Sequence, residues 1–278
     1  MIDTLAIIGV GLLGGSVALA VREHGIAKRI IGVSRNQHTL NYACSSGMID
    51  SGITAFDKSL NNAELAVICT PVDSVAPLAL ELLENYLQLR VTDVGSTKLT
   101  ILEAINLRSE LASRFIGGHP LAGSEKSGPE HAQKDLFRNK MVFLSPSITT
   151  SSTTLQLVTT FWKSLQAITI EISPEKHDTV MAFTSHLPHL ISFTLAGVIP
   201  QDYIEYSGTG LRSMCRLAGG DPSMWSAIVK ENREPILNCL DLFQGNLNTL
   251  RRAIEKNNPS LLSNLFDAGR RTYHALGS

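Results

Sequence analysis

Four groups of residues carry the types and spacings that chemistry needs. The first is Gly9-Val10-Gly11-Leu12-Leu13-Gly14, which follows the apolar run Thr4–Ile8 and opens a helical pattern. Between strand and helix, G-x-G-x-x-G is a dinucleotide fingerprint. Gly9 allows a tight turn, Gly11 lets the backbone approach a pyrophosphate, and Gly14 lets helix and strand pack closely. The helix start adds free N–H groups and a positive dipole end for the phosphates. About 20 residues beyond Gly14, where an NAD enzyme usually carries an acid for the ribose 2′-hydroxyl, the chain reads Ser34-Arg35. Arg35 can pair with a 2′-phosphate and Ser34 can donate to it, so NADP is the expected cofactor. A merely solvated Arg35 would leave NAD acceptable. The expected cofactor-binding set is Gly9, Gly11, Leu12, Leu13, Gly14, Ser34, Arg35, Thr70 and Pro71.

The other three groups lie further along. Thr92-Asp93-Val94-Gly95-Ser96-Thr97-Lys98 follows a buried strand at its carboxyl end, where open α/β sheets bind ligands. Phe115-Ile116-Gly117-Gly118-His119-Pro120 ends the next strand and opens a glycine-rich loop that includes Ser124 and Glu125. Ser185-His186-Leu187-Pro188-His189 sits in a helical pattern, with Ser185 and His189 on one face. Each has a plainer reading. Ser96 could cap the helix that starts near Thr97, and His186 and His189 could be satisfied core histidines. His177-Asp178 reads as packing. No metal site is expected, since the histidine spacing lacks a further ligand set.

These groups need elements to hold them. Up to about residue 170, short β-type runs alternate with helical patterns, the signature of a parallel sheet with crossover helices. Strands are expected at Thr4–Ile8, Arg29–Val33, Leu65–Cys69, Arg90–Asp93, Phe115–Ile116, Met141–Leu144 and Ile168–Ile172. After Ser173-Pro174 the pattern is helical throughout: Glu175–Gly197, Gln201–Leu217, Ser223–Glu255 and Ser260–Ala275, with Pro188 and Pro235 kinking or dividing two of them. The expected organisation is a Rossmann-type α/β domain with a mainly parallel sheet over residues 1–173. An all-α domain for substrate binding and dimerisation follows over 174–278.

Composition agrees. The 278 residues carry 24 Lys+Arg against 25 Asp+Glu, a formal net charge of −1 that argues against nucleic acid as a partner. At 44% hydrophobic and 18% charged there is material for a core. The four scattered cysteines read as reduced core fillers in a cytoplasmic protein. The uncharged run Leu5–Val21 holds four glycines and follows Asp3 without a basic leader, so neither membrane span nor signal peptide is expected.

Together the strings VTDVGSTK, GGHPLAGSEKSG, SHLPH and Asp221-Pro-Ser-Met-Trp225 resemble the prephenate/arogenate dehydrogenase family of tyrosine biosynthesis. They occur in the family's order and, with the fingerprint, span residues 7 to about 235. The resemblance implies oxidative decarboxylation of a cyclohexadienol: hydride leaves C4 for the nicotinamide, the C4 hydroxyl loses its proton, and the ring carboxylate departs as CO2. It further implies that His119 is the catalytic histidine and Ser96 the serine that orients it. Arg216 would bind the substrate carboxylate, with His186, His189, Ser124 and Glu125 around the substrate. The family commonly has G-F-[RK]-D before that arginine; this chain has Gly210-Leu211-Arg212-Ser213, so Arg212 stands as the alternative. A homodimer through the helical domain is also implied; from length, two domains over 1–173 and 174–278 are expected to leave no segment for an appended regulatory or mutase domain. Prephenate and arogenate are not separated, although the two-histidine string leans toward prephenate or dual use. Two other readings stay open: a β-hydroxyacid or 6-phosphogluconate-type dehydrogenase using Lys230, and a non-catalytic NADP-sensing regulator.

Overall fold

The computed structural model describes residues 1–124 and 126–277. In the first strand, β1 (Ile2–Ile8), side chains alternate between two apolar clusters: Leu5 and Ile7 join one, Ala6 and Ile8 the other. A strand buried on both faces needs helices on both sides, and this alternation dictates a three-layer α/β/α arrangement. The elements follow as α1 (Leu12–Glu23), β2 (Ala27–Val33), α2 (Gln37–Ser45), β3 (Ser51–Ile53), β4 (Leu65–Ile68), α3 (Val75–Asn85) and β5 (Arg90–Asp93). Next come α4 (Leu99–Asn106), α5 (Ser109–Ala112), β6 (Phe115–Pro120), β7 (Met141–Pro146), α6 (Ser152–Ser164) and β8 (Ile168–Glu171). The eight strands lie in the order β3-β2-β1-β4-β5-β6-β7-β8, parallel throughout except that β7 runs antiparallel to β6.

Two features depart from the expectation. Ser51–Ile53 is a short strand beside β2 that three residues with a single large apolar side chain do not announce. The strand expected at Phe115–Ile116 continues to Pro120, because β7 pairs with it antiparallel, His119 opposite Phe143 and Pro120 opposite Val142. His119 therefore stands on a strand, held by a ladder, rather than in the mouth of a loop.

Beyond the sheet come α7 (Pro174–Met181), one π turn (Ala182–His186), α8 (Leu187–Gly197), a 3-10 segment (Gln201–Tyr206), α9 (Thr209–Cys215), a second 3-10 turn (Arg216–Gly219), α10 (Pro222–Glu231), α11 (Arg233–Glu255) and α12 (Pro259–Ala275). The helix expected over 201–217 is broken at Ser207-Gly208, where Gly208 in extended conformation becomes the N-cap of α9. The long helix expected at Ser223–Glu255 divides at Asn232, just before Pro235. Residues up to Asn232 form one compact unit with the sheet, since α7 packs on α4 and β7, and Trp225 and Ile228 of α10 join an apolar cluster of the sheet. The residues from Arg233 onward form a second unit in which α11 and α12 pack together. The boundary read near residue 173 therefore does not coincide with the division between compact units. Among the described residues no helix is long and apolar enough to cross a membrane.

Candidate active site

At the carboxyl edge of the sheet the glycine fingerprint shows why each glycine is there. Gly9 adopts φ +96°, and a Cβ on it would lie 2.9 Å from the Cys69 carbonyl oxygen and from the Thr70 methyl. A Cβ on Gly14 would lie 2.0 Å from the Gly9 carbonyl oxygen, so the first turn of α1 can approach the end of β1 only without a side chain. Gly11, the N-cap of α1, instead faces open space and provides no side-chain cap. The first-turn N–H groups of α1 are thus left for an outside acceptor, and the residues fit a dinucleotide pyrophosphate. Leu12 is buried and Leu13 partly so. Past β4, the Thr70 hydroxyl accepts from Ser74 at 2.8 Å, and Pro71 stands exposed at the turn. At the end of β2, Asn36 caps α2 by accepting the His38 and Thr39 N–H groups. The Ser34 hydroxyl accepts the Asn36 N–H, which leaves its own proton available, and Arg35 is exposed.

Two strands along, the sheet edge holds a buried ion pair, Lys98 with Asp93, both fully shielded from solvent. Burying such a pair costs several kcal/mol per ion unless its remaining bonds are made. On the carboxylate side they are made: one Asp93 oxygen accepts the Gly118 N–H at 2.9 Å and the other the Gly95 N–H at 2.8 Å. The paired glycines before His119 have matching reasons. A Cβ on Gly117 would meet the Lys98 stem at 2.9 Å, and one on Gly118 the Asp93 carbonyl oxygen at 2.4 Å.

His119 follows at once. Its Nδ1 lies 2.8 Å from Nε2 of His177, whose Nδ1 lies 2.7 Å from Asp178 Oδ1. The same carboxylate receives the backbone N–H groups of Lys98 (2.7 Å) and Leu99 (2.9 Å). Asp178 therefore satisfies the amino end of α4, the job open to Ser96 on the plainer reading of that residue. Ser96 lies half-buried between Gly95 and Thr97. His119 is held well below the ordinary histidine pKa, first by burial and then by the charges of His177, Lys98 and His186. Its resting state is neutral imidazole.

The helical side is shaped by the π turn. The Leu187 N–H bonds to the Ala182 carbonyl five residues back, and Pro188 next to it has no N–H to offer. His189 Nδ1 donates to the Ser185 carbonyl at 2.9 Å, and its ring stacks on Trp225 with centroids 3.8 Å apart. His186 is buried, and burial pushes its pKa down to about 4. Asn232 Nδ2 donates to the Asp178 carbonyl and to His186 Nδ1, both at 2.9 Å. Because a carbonyl only accepts, the amide group is the one that faces it. His186 then carries its proton on Nε2. That N–H and the Trp225 indole N–H are buried without an acceptor among the described residues. One turn beyond His189, the Ser192 hydroxyl donates to the Met214 carbonyl (2.9 Å) and accepts the Ala218 N–H (3.0 Å). That tie fastens the Arg216 turn to α8, and the pKa of His189 is lowered, first by burial and further by the Arg216 charge. Arg212 is exposed in the last turn of α9.

His119, His186, His189 and Arg216 are thus linked through direct bonds, ring contacts or mutual charge. Ser124 is exposed, its hydroxyl accepting the Lys126 N–H, and Glu125 lies outside the described residues. Sequence reasoning undervalued His177, Asp178, Lys98 and Asn232. The available signal was Pro174 opening a helix that carries adjacent His and Asp at its fourth and fifth positions, one element before SHLPH.

Fold and site together define a nucleotide-binding α/β sheet whose carboxyl edge is closed by histidine-bearing helices. Two family models match this chain: "Prephenate dehydrogenase, nucleotide-binding domain" over residues 17–171, and "Prephenate dehydrogenase, dimerization domain" over 173–268. A prephenate dehydrogenase of Bacillus subtilis is 31% identical over 96% of this chain and 74% of its own length. A cyclohexadienyl dehydrogenase of Zymomonas mobilis is 28% identical over 98% and 95%. Among solved structures, a prephenate dehydrogenase from A. aeolicus in complex with hydroxyphenyl propionate and NAD+ superposes with a TM-score of 0.90 at 31% identity, covering 99% of both chains. An arogenate dehydrogenase from Synechocystis gives 0.80 at 29%, covering 97% and 99%. The chain belongs to the prephenate dehydrogenase family.

Proposed function

We propose that the protein oxidatively decarboxylates prephenate and/or arogenate with NADP, giving 4-hydroxyphenylpyruvate and/or tyrosine. The observation that carries this reading is a neutral histidine, His119, tied through Nδ1 at the carboxyl edge of a nucleotide-binding sheet. Its Nε2 makes no hydrogen bond to the described residues and can take the proton of a ring hydroxyl. Ser96, one strand over, orients His119. Arg216 receives a substrate carboxylate, where a charge-assisted contact is worth about 1.5–3 kcal/mol. His186 and His189 line the substrate from the helical side, and Ser124 and Glu125 belong to the entrance loop. The nicotinamide, when bound, supplies the hydride acceptor. As the C4–H pair departs, the hydroxyl proton passes to His119, the bond from ring to carboxylate breaks to release CO2, and its electrons complete the aromatic ring. The phenol oxygen then recovers a proton, so protons balance.

Support for NADP comes from the lack of an acid after β2 together with the Ser34 hydroxyl, whose proton is not used by the Asn36 contact, and exposed Arg35. The A. aeolicus relative was solved with NAD+, so the alternative cofactor belongs in the test. The two buried N–H donors without acceptors, on His186 and Trp225, suit an oxygen-bearing side chain better than an ammonium, which favours prephenate. Residues 174–278 are read as the substrate and dimerisation part, pairing two copies into a homodimer, and the protein as cytoplasmic. Initial rates with prephenate and arogenate, each paired with NADP and with NAD, test the whole reading through kcat/KM ratios. Silence in all four from folded, NADP-binding protein would discard it.

A further inference from the structure

The bonds around Asp178 settle more than packing. Lys98 N–H and Leu99 N–H can only donate, so Asp178 accepts at both oxygens and caps the amino end of α4. An ionised carboxylate offers no proton, so the 2.7 Å contact to His177 requires the proton on His177 Nδ1. Neutral His177 then has a bare Nε2, which can only accept. The 2.8 Å contact to His119 is consequently a bond from His119 Nδ1–H, and the His119 lone pair sits on Nε2. Ring geometry leaves little freedom to reverse this. His177 is fully buried, with the Phe143 ring edge-on at 5.5 Å and the His119 ring edge-on at 5.0 Å.

We propose that His177 and Asp178 are positioning residues that set the tautomer of His119 and take up part of the positive charge His119 acquires when it accepts the substrate proton. The charged and titratable groups facing this row are Lys98 and Asp93 from the sheet edge and His186 from the π turn. Lys98 and His186 oppose a charge on His119, and Lys98 is itself neutralised by Asp93. Asp178, at the far end of the row, is the anion toward which the new charge can spread. This inference rests on His119 being the base.

Four measurements separate the outcomes. In wild-type protein, nitrogen-15 NMR of the histidine rings should find protons on Nδ1 of both His119 and His177; a proton on His119 Nε2 overturns the proposal without any variant. Asp178→Asn removes the anion: an amide oxygen at the Oδ1 position can still accept the Lys98 N–H and the His177 Nδ1–H, but the amide carries no charge to balance a protonated His119 and turns its NH2 against the Leu99 N–H. We expect kcat to fall roughly 10²-fold or more, with cofactor Kd unchanged. His177→Gln, which still offers an oxygen acceptor to His119, should retain more kcat than His177→Leu, and the acid limb of the kcat profile should move in both. If Asp178→Asn only lowers Tm and leaves kcat, its pH profile and the His119 tautomer intact, Asp178 is a helix cap and nothing more. His119→Asn distinguishes the two levels: full turnover there removes the base itself, whereas loss there with normal Asp178→Asn and His177→Leu removes only the positioning role.

Discussion

A base must be unprotonated before it can work, and burial keeps His119 in that state. The acid limb of kcat/KM should accordingly lie below pH 6.5, the ordinary histidine value, because lowering the pKa preserves the neutral form to lower pH. A limb at or above 6.5 would place the base elsewhere. His119→Asn should cut kcat by roughly 10²–10⁴ while cofactor affinity stays within about twofold. Arg216→Ala should chiefly raise KM, by about 10- to 160-fold if the lost contact is worth about 1.5–3 kcal/mol. An unchanged KM would move that role to Arg212 or to a histidine. Most residues of this kind were legible as types in short strings. What strings could not convey is who satisfies whom. His177-Asp178 reads as an ordinary helix pair until the fold brings Lys98 and Leu99, some 80 residues away, onto the same carboxylate.

At the level of elements, the glycines mark where backbone must touch backbone. Gly14→Ala would put a methyl 2.0 Å from the Gly9 carbonyl and push α1 off the sheet edge. The expected result is a loss of about 1–3 kcal/mol in stability together with most of the thermal shift that a nicotinamide cofactor gives. Equal thermal shifts in variant and wild type would show that α1 does not meet the cofactor. Strands buried on both faces were readable because their apolar runs are continuous and bounded by turns. β3 was not, since three residues carry no period. The extension of β6 was hidden because Gly117 and Gly118 read as loop, although each is dictated by an atom of β5 or of Lys98. The helix expected over 201–217 failed at Ser207-Gly208, where apolar spacing outweighed the break signal.

For the whole molecule, histidines kept neutral by burial tie folding to pH. His186 titrates at about 4 in the folded protein, and His119 and His177 are likewise lowered. Unfolded, each takes a proton near pH 6.5. The contribution of His186 is full above that value and is lost as pH falls from 6.5 toward 4, at about 1.4 kcal/mol per unit, and His119 and His177 act in the same direction. Urea midpoints should therefore drop between about pH 7.5 and about pH 5.5; equal midpoints would mean these rings are protonated in the fold. Assembly is testable in the same samples. Helices α11 and α12 leave Leu242, Leu247, Ile254, Phe266 and Tyr273 exposed, more apolar surface than a lone pair of helices usually leaves open. Solution scattering at micromolar concentration should report twice the chain mass, and a monomer would refute the pairing.

The single wide turn at Ala182–His186 has a genetic consequence. A π turn is an α-helix carrying one residue more than its pitch accommodates. Removing one residue from that stretch would restore regular winding and turn everything beyond it by about 100° and back by about 1.5 Å. Such a shortened chain could keep an intact sheet and a full helix, yet His189 would leave the Trp225 ring and the Arg216 turn would lose its register with α8. At this one place the protein should tolerate many substitutions in its exposed side chains, such as Phe183 and Thr184, but not a change in length.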